Sequence, residues 1–263
     1  MLIVVALAVA LTIKTYLVQP FKIPSASMED TLLINDKVLV NKLVGHLSQI
    51  HRGDVIVFNG AGSWDPPVAT SGNPFDRFYR DVLSLFGDDS GQTDYIKRVI
   101  GLPGDHVRCC NAQGLVTVNG IPLHEQAYLY PGSAPSSIKF SIVVPPGRLW
   151  VMGDNRGDSE DSRLHRCGIP GAECEPWDPS GTIPENKVIG RAFLIVWPPS
   201  QFKMLWVPTT FSQPGLSSAA AATAAARVLP AGPALPLSAG IAVAAPLTLL
   251  ERRIRLRRRA RRR

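Results

Sequence analysis

The sequence predicts a mainly β domain with an uncharged apolar segment at each end. Its body carries short runs rich in valine and isoleucine, bounded by glycine, proline, asparagine or aspartate, which is the pattern of strands joined by tight turns. With 263 residues and 45% hydrophobic content, the chain can bury one sizeable core or two small ones. The strand pattern is found in six segments, residues 36–43, 54–58, 95–101, 115–120, 148–153 and 188–197.

The N-terminus predicts a membrane anchor over residues 1–19. Residues 1–13 carry no charge, and the uncharged run resumes after Lys14. Thirteen residues cover only about 20 Å as a helix, so a span requires Lys14 to reach toward the interface, or requires residues before Met1. A cleaved signal peptide fits less well, because no basic residue precedes the apolar run.

One amphipathic helix is predicted within the body, over residues 73–89. Asn73 can cap its N-terminus and Pro74 suits its first position. Charges on its polar face cancel, which favours packing on the sheet, although the aromatic face could also dip into a bilayer interface. The apolar face consists of Phe75, Phe78, Tyr79, Val82, Leu83 and Phe86.

The charge of the chain is concentrated at its C-terminus. Nine of the 28 basic residues and one of the 21 acidic residues lie in 251–263, which leaves 19 basic and 20 acidic residues elsewhere. The body is therefore nearly neutral and has no general affinity for nucleic acid. We expect residues 251–263 to form a cytoplasmic polybasic tail.

Residues 228–250 predict a C-terminal transmembrane segment. Their 23 residues carry no charge and can cross about 30 Å of hydrocarbon as a helix, with the basic flank on the cytoplasmic side. Four prolines in this stretch favour the alternative of a disordered linker whose basic tail contacts anionic lipid or nucleic acid.

Two anchors with the basic end inside would place residues 20–227 outside the cytoplasm. We expect a catalytic domain at 20–205 and an Ala/Ser-rich linker at 206–227. An oxidising compartment would allow a disulfide between Cys167 and Cys174 across a turn-rich loop. Cys109 and Cys110 are neighbours and are expected to pair elsewhere rather than with each other. No cysteine pair has the C-x-x-C spacing of a zinc site.

Two serines, Ser25 and Ser27, follow the apolar N-terminus. In an extended segment, residues two apart point the same way, and a serine becomes a nucleophile where a neighbouring base takes its proton. None of the five histidines lies in a recognisable catalytic context. Lys97 alternates with Tyr95 and Val99 on an apolar strand face, where burial can lower a lysine pKa from about 10.4 toward neutrality. The alternative is an ordinary surface lysine.

Four motifs occur in order along the chain, PSASM at 24–28, RGDVIVF at 52–58, YIKRVIGLPGD at 95–105 and GDNRGDSEDSR at 153–163. Together they resemble the sequence boxes of the type I signal peptidases. Members of that family are bacterial membrane enzymes that remove signal peptides from exported preproteins with a Ser/Lys dyad. The resemblance covers residues 20–197 and implies an antiparallel-sheet catalytic domain at the cell membrane, on its extracytoplasmic side, with no cofactor and no metal.

The resemblance gives a role to each matching residue. It implies that Ser27 is the nucleophile and Lys97 its general base. The Ser25 hydroxyl and the Ser27 backbone N–H would form the oxyanion hole, and Ser159 would orient the Lys97 amine by a hydrogen bond. Two charge pairs would support the site, Asp161 with Arg163 and Asp154 with Arg98.

The resemblance also implies how a preprotein binds. Extended stretches at Ile23 and at Tyr95 and Ile96 would pair with the substrate backbone as added strands. Ile23, Met28, Leu32 and Ile96 would line shallow pockets for small side chains at the first and third positions before the cut. The expected partners are secretory preproteins with A-x-A sites and membrane lipid, and no nucleic acid is expected.

Three features depart from the common family pattern. Glu29 and Asp30 follow Met28, where apolar residues or proline are frequent, and residues 167–177 form an insertion. A second span after the catalytic domain occurs in some members from high-GC Gram-positive bacteria. None of the three features touches the proposed dyad.

Two other classes of protein are alternatives to this family. A self-cleaving repressor shares the Ser/Lys chemistry but carries a DNA-binding domain, whereas this chain opens with an apolar segment. A catalytically inactive membrane scaffold is expected to lack one of Ser27, Lys97 and Ser159, and all three are present.

Overall fold

The computed structural model describes residues 17–44, 49–66, 94–168 and 178–216. The predicted helix at 73–89, the predicted span at 228–250 and residues 1–16 of the predicted anchor lie outside these ranges. Among the helices that the structure does describe, none combines the length and the apolar character of a membrane span.

The described residues form twelve strands and four short 3-10 helices. In chain order the strands are β1 (Val18–Lys22), β2 (Lys37–Asn41), β3 (Val55–Asn59), β4 (Asp94–Gly101), β5 (His106–Cys109), β6 (Thr117–Val118), β7 (Ile121–Pro122), β8 (Phe140–Val143), β9 (Arg148–Met152), β10 (Ile183–Pro184), β11 (Val188–Trp197) and β12 (Lys203–Met204). The 3-10 helices are Ala26–Met28, Glu185–Lys187, Pro199–Gln201 and Thr209–Ser212.

The strands build two antiparallel sheets. The larger one has eight strands in the order β1-β2-β11-β3-β4-β9-β10, with β12 paired to β11. The smaller one has four strands in the order β7-β6-β5-β8. Because β4 pairs with β3 on one side and with β9 on the other, a side chain on β4 lies close to the loop that leaves β9. The mainly β, antiparallel prediction is confirmed.

Each of the six segments predicted as strands overlaps an observed strand. Six observed strands were not predicted, namely β1, β5, β7, β8, β10 and β12. The five residues of β1 carry neither an apolar run nor a regular alternation. Pro20 lies within β1 and pairs with Leu39 of β2. A proline is tolerated there because β1 is an edge strand of the sheet that the described residues form.

The apolar core lies in three groups. The group nearest to Ser27 contains Ile23, Met28 and Leu32 together with side chains of β2, β3 and β11. A second group fills the space beneath the smaller sheet around Trp150. A third lies around Trp64 and contains residues of β3, β4 and β9. β4 contributes to all three groups, which explains why its last six residues are all buried.

Residues 206–216, which the sequence assigned to the linker, pack against the folded body. Phe211 and Leu216 are buried in the core group around Trp150. The Leu216 carbonyl also accepts a hydrogen bond from Arg52 Nη1 at 3.0 Å. The Ala-rich composition begins only after these residues, which is consistent with a folded body that extends to residue 216.

Cys109 and Cys110 form a disulfide with each other, which corrects the expectation that these neighbours pair elsewhere. Adjacent residues within a strand point to opposite faces. However, β5 ends at Cys109, so strand alternation does not separate the two thiols. Cys167 is also disulfide-bonded, and Cys174, its predicted partner, lies outside the described residues.

Candidate active site

Ser27 lies in the 3-10 helix Ala26–Met28, shortly after β1. The segment before it is held by a turn from the chain that enters β2. The Ile23 N–H donates to the Asp36 carbonyl at 2.9 Å, and the Ile23 carbonyl accepts from the Asn35 N–H at 2.9 Å. The Ser27 residue is 5% exposed, so its hydroxyl is held in a nearly dry position.

Lys97 lies in the middle of β4, where its register partner on β3 is Ile56. It is 4% exposed. Its Nζ donates a hydrogen bond to Ser27 Oγ at 2.7 Å. The structure therefore brings together the two residues that the sequence analysis proposed as nucleophile and base, although they lie 70 positions apart.

Burial lowers the pKa of Lys97 from its ordinary value to about 8. Asp161, Glu160 and Asp154 act in the opposite direction because a nearby anion favours the ammonium, and Arg163 disfavours it. With this pKa, a usable fraction of Lys97 is neutral near pH 7, and a neutral amine can accept the Ser27 proton across the same 2.7 Å contact.

Ser25 directly precedes the 3-10 helix in an extended conformation. Its Oγ lies 3.3 Å from Ser27 Oγ, and both serines line the same cleft. The two hydroxyls do lie close together, but the segment is not extended throughout as expected, because Ser27 lies in the 3-10 helix. The Ser27 hydroxyl accepts a hydrogen bond from the buried Lys97, while Ser25 is exposed.

The loop that follows β9, residues 153–163, is organised around Asp161. Its carboxylate accepts hydrogen bonds from the Gly153 N–H at 3.0 Å, from the Ser159 hydroxyl at 2.9 Å, and from Arg163 Nε and Nη2, both at 2.8 Å. Although burial raises the pKa of Asp161, the Arg163 guanidinium and these donors outweigh that effect and hold the pKa below its usual range. Asp161 is thus a permanent anion beside Lys97.

Ser159 lines the same cleft as Lys97. Its hydroxyl hydrogen is donated to Asp161, so the oxygen lone pairs remain able to accept a hydrogen bond from the lysine. The hydrogen bond that Lys97 makes in this structure goes to Ser27. The predicted contact from Ser159 to Lys97 stays a prediction.

The loop 153–163 also binds the main chain of Ser27 by a hydrogen bond. The Asn155 N–H donates to the Ser27 carbonyl at 3.1 Å. Gly153 permits a close approach at this point, because a Cβ there would lie 2.4 Å from the Ser27 carbonyl oxygen and 2.2 Å from Ser159 Oγ. The absence of a side chain at Gly153 is therefore a condition for this packing.

Arg98 and Asp154, the second predicted charge pair, lie behind the dyad. Arg98 Nε and Nη2 bind Asp154 at 2.8 and 2.6 Å, and both side chains are buried. Thr31 donates to the same carboxylate at 2.5 Å, and the Gly53 carbonyl accepts from Arg98 at 2.7 Å. The pair thus ties β4 and the loop after β9 to two further chain segments.

The cleft in front of the dyad has a volume of about 650 Å³. Tyr95 and Ile96 line one wall, as the sequence analysis expected for substrate-binding residues. Ile23, Met28 and Leu32 instead lie in the core with at most 1% exposure, directly behind the nucleophile. The cleft lining also includes Ser137, Ile138, Asp158, Glu160 and Leu164.

Sequence reasoning missed several residues around this site. Ser137 and Ile138 belong to a polar, proline-containing stretch without a motif. Glu125 and Tyr128 carry no local signal either, since their importance depends on a contact with Arg156, 31 positions from Glu125. Arg156 is part of the GDNRGDSEDSR motif, which was the one available indication of its role.

The sequence matches the family described as signal peptidase, peptidase S26, over residues 1–197. A signal peptidase I of Mycobacterium tuberculosis is 41% identical over 216 residues, covering 76% of this chain and 71% of that protein. A signal peptidase I of Leptolyngbya laminosa is 32% identical over 206 residues, covering 78% of this chain and 82% of that protein.

A crystal structure of a signal peptidase I from Enterococcus faecalis matches 55% of this chain and 97% of its own chain, at 21% identity and a TM-score of 0.32. The family match extends over most of the chain and includes all four motifs. The chain therefore belongs to the peptidase S26 family of signal peptidases, hydrolases that cleave signal peptides from preproteins.

Proposed function

We propose that this chain is a membrane-bound signal peptidase I that uses Ser27 as nucleophile and Lys97 as general base. The observation that carries the proposal is the 2.7 Å contact between Lys97 Nζ and Ser27 Oγ in a site where both residues are buried. Serine and lysine alone form a sufficient acid–base pair when the lysine is held neutral.

In the proposed reaction, Ser27 Oγ attacks the carbonyl carbon of the scissile peptide while its proton moves to Lys97 Nζ. The new C–O bond leaves an oxyanion, which the Ser25 hydroxyl and the Ser27 backbone N–H would stabilise in this proposal. Collapse of this intermediate breaks the C–N bond, and the Lys97 ammonium protonates the departing amine. Water then attacks the ester with Lys97 again as base, which releases the signal peptide with a free carboxylate and restores Ser27.

The proposed specificity is for small residues at the first and third positions before the cut. Tyr95 and Ile96 of β4 line the cleft. An extended peptide bound there can form backbone hydrogen bonds to this part of β4 as an added strand. The preference itself follows from the family resemblance, since Ile23, Met28 and Leu32, which were expected to line the pockets, are buried in the core behind Ser27.

We further propose that the catalytic domain works on the extracytoplasmic side of the cell membrane, with lipid as its second partner. The predicted spans at 1–19 and 228–250 support this placement. So do the large apolar side chains exposed around β11 and β12, of which Trp206 is 76% exposed. Tryptophan is favoured at the membrane–water interface, where its ring is apolar and its N–H can bind water. The exposed set consists of Trp197, Phe202, Met204 and Trp206.

Processing of a purified preprotein in liposomes tests the proposed function. The full chain should convert a preprotein with an A-x-A site into mature protein, and mass spectrometry should place the cut directly after the second alanine. A preprotein with tyrosine at the first position before the cut serves as the matched control and should stay intact. A folded wild-type chain that leaves both preproteins intact would refute the proposal.

A further inference from the structure

A buried ion pair connects the loop after β9 to a part of the chain that none of the four motifs includes. Glu125 lies shortly after β7, and Arg156 lies in the loop 153–163. Both side chains are 1% exposed. Arg156 Nη2 and Nη1 bind the two Glu125 carboxylate oxygens at 2.5 and 3.1 Å. Two parallel hydrogen bonds to a planar guanidinium fix its orientation as well as its distance.

Tyr128 completes this connection. Its hydroxyl donates to Glu125 Oε1 at 2.6 Å. Its ring centroid lies 4.5 Å from the guanidinium carbon of Arg98 and 5.9 Å from that of Arg156, and a cation over an aromatic face is attracted to it. Since Arg98 binds Asp154, the Glu125–Tyr128 segment contacts two of the three arginines that support the loop 153–163.

Arg156 also forms hydrogen bonds within the loop 153–163, through its Nε and its main-chain carbonyl. Arg156 Nε donates to the Gly153 carbonyl at 2.9 Å, and the Arg156 carbonyl accepts from Arg163 Nη2 at 2.9 Å. Gly153 packs against the Ser27 carbonyl and Ser159 Oγ. A continuous series of direct contacts therefore runs from Glu125 through Arg156 and Gly153 to the nucleophile.

We propose that Glu125 is a positioning residue for peptide cleavage, which holds Arg156 and thereby keeps the loop 153–163 closed against Ser27 and Lys97. The inference rests on the proposed Ser27/Lys97 mechanism. Without the Glu125 carboxylate, Arg156 would be a buried cation whose remaining hydrogen-bond acceptors are neutral carbonyls. Burying a cation without its anion is costly, so the loop would shift to hydrate Arg156, and water would reach Lys97.

The test is Glu125→Gln in the full chain in liposomes, with preprotein cleavage measured from pH 6 to 10. Glutamine keeps the shape of the side chain but removes the charge. We expect kcat to fall at least about tenfold because the reacting groups lose their alignment, while KM stays close to the wild-type value. We also expect the rise of kcat/KM with pH to move to higher pH by about half a unit or more, because water at Lys97 favours its ammonium form.

Asp105→Asn provides a matched control. Asp105 and Arg52 form a second buried pair with two hydrogen bonds, both at 2.6 Å, and their side chains are 4% and 7% exposed. This variant should lose comparable thermal stability yet keep the wild-type pH profile. A Glu125→Gln profile that matches the wild type, or an equal shift in Asp105→Asn, would overturn the inference.

A second variant covers the case in which Glu125→Gln fails to fold. Tyr128→Phe removes only the hydroxyl that donates to Glu125 and should shift the pH profile in the same direction by a smaller amount. An unchanged profile in Tyr128→Phe would then overturn the inference. Failure of the wild-type chain to cleave the preprotein at all would instead refute the proposed function, so the two failures are distinguishable.

Discussion

At the scale of single residues, the surroundings of Lys97 decide whether the dyad can work. Burial destabilises the ammonium and lowers the pKa of Lys97 to about 8, while Asp161, Glu160 and Asp154 partly offset this effect. A site without these anions would hold the lysine neutral at lower pH but would bind its protonated form poorly after proton transfer. The observed balance suits a group that must accept and return a proton in each cycle.

The rate of preprotein cleavage should rise with pH through about 8, the lowered pKa of Lys97. The neutral amine is the active form, so about a tenth of the enzyme is competent at pH 7 and about nine tenths at pH 9. The measurement is kcat/KM from pH 6 to 10, with circular dichroism over the same range as the control for folding. A flat profile would contradict the role of Lys97 as base.

Gly153→Ala should lower kcat/KM by about 10²-fold or more, because it displaces the catalytic loop from the nucleophile. The added Cβ would lie 2.4 Å from the Ser27 carbonyl oxygen, a backbone atom that cannot rotate away. Gly157→Ala is the matched control, since a Cβ at Gly157 meets no atom within 4 Å. Equal activity of the two folded variants would show that Gly153 is not the point of close contact.

At the scale of elements, the sequence predicts those whose signal is local. The strand β11 is rich in valine, isoleucine and aromatic residues, with Arg191 as its one charged residue, and its predicted bounds match the observed ones. Lys97 could be singled out because β4 places it among apolar neighbours. In contrast, β1 contains Pro20 and becomes a strand only because β2 is there to pair with it.

Contacts between distant segments could not be predicted in the same way. The Glu125–Arg156 pair joins residues 31 positions apart, and Thr31 binds Asp154 across 123 positions. The periodicity of the sequence does not predict a contact between such distant residues, because the contact depends on how the folded segments pack together. The Cys109–Cys110 disulfide was missed for a different reason, since neighbouring cysteines were expected to pair with other residues.

The loop that begins at Cys167 should contain a second disulfide, to Cys174. Cys167 is disulfide-bonded in this structure. We therefore expect both thiols to be unreactive toward an alkylating reagent in the denatured, unreduced chain, and mass spectrometry should find the two peptides linked. Alkylation after reduction is the control and should modify both residues. Quantitative labelling of both before reduction would rule the bridge out.

At the scale of the whole molecule, the exposed aromatic side chains of β11 and its surroundings face outward from a domain that is otherwise well packed. Trp197, Phe202 and Trp206 are each more than half exposed. Single exposed apolar residues are common, but several large ones close together in sequence indicate a contact surface. The proposed partner of this surface is lipid, since the preprotein substrate carries an apolar signal segment.

Replacing Trp197, Phe202 and Trp206 together by serine should slow the cleavage of a vesicle-bound preprotein severalfold, because insertion of apolar surface into the interface is lost. The same variant should cleave a short soluble peptide at the wild-type rate, since these side chains lie outside the lining of the catalytic cleft. The matched control is Val143→Ser, which changes an exposed residue, 63% accessible, on the smaller sheet. An equal loss on both substrates would indicate damage to the domain rather than to membrane contact.

The most direct test of the Ser27/Lys97 dyad compares Ser27→Ala, Lys97→Ala and Lys97→Arg in the same preprotein assay. Ser141→Ala and Lys139→Ala, at exposed positions in or next to β8, serve as controls for the loss of a hydroxyl and of an amine. All three dyad variants should be inactive while folded, because a methyl group cannot attack or accept a proton and a guanidinium stays protonated. Both controls should process the preprotein at the wild-type rate. Substantial turnover by Ser27→Ala or by Lys97→Arg would contradict the assignment of nucleophile and base.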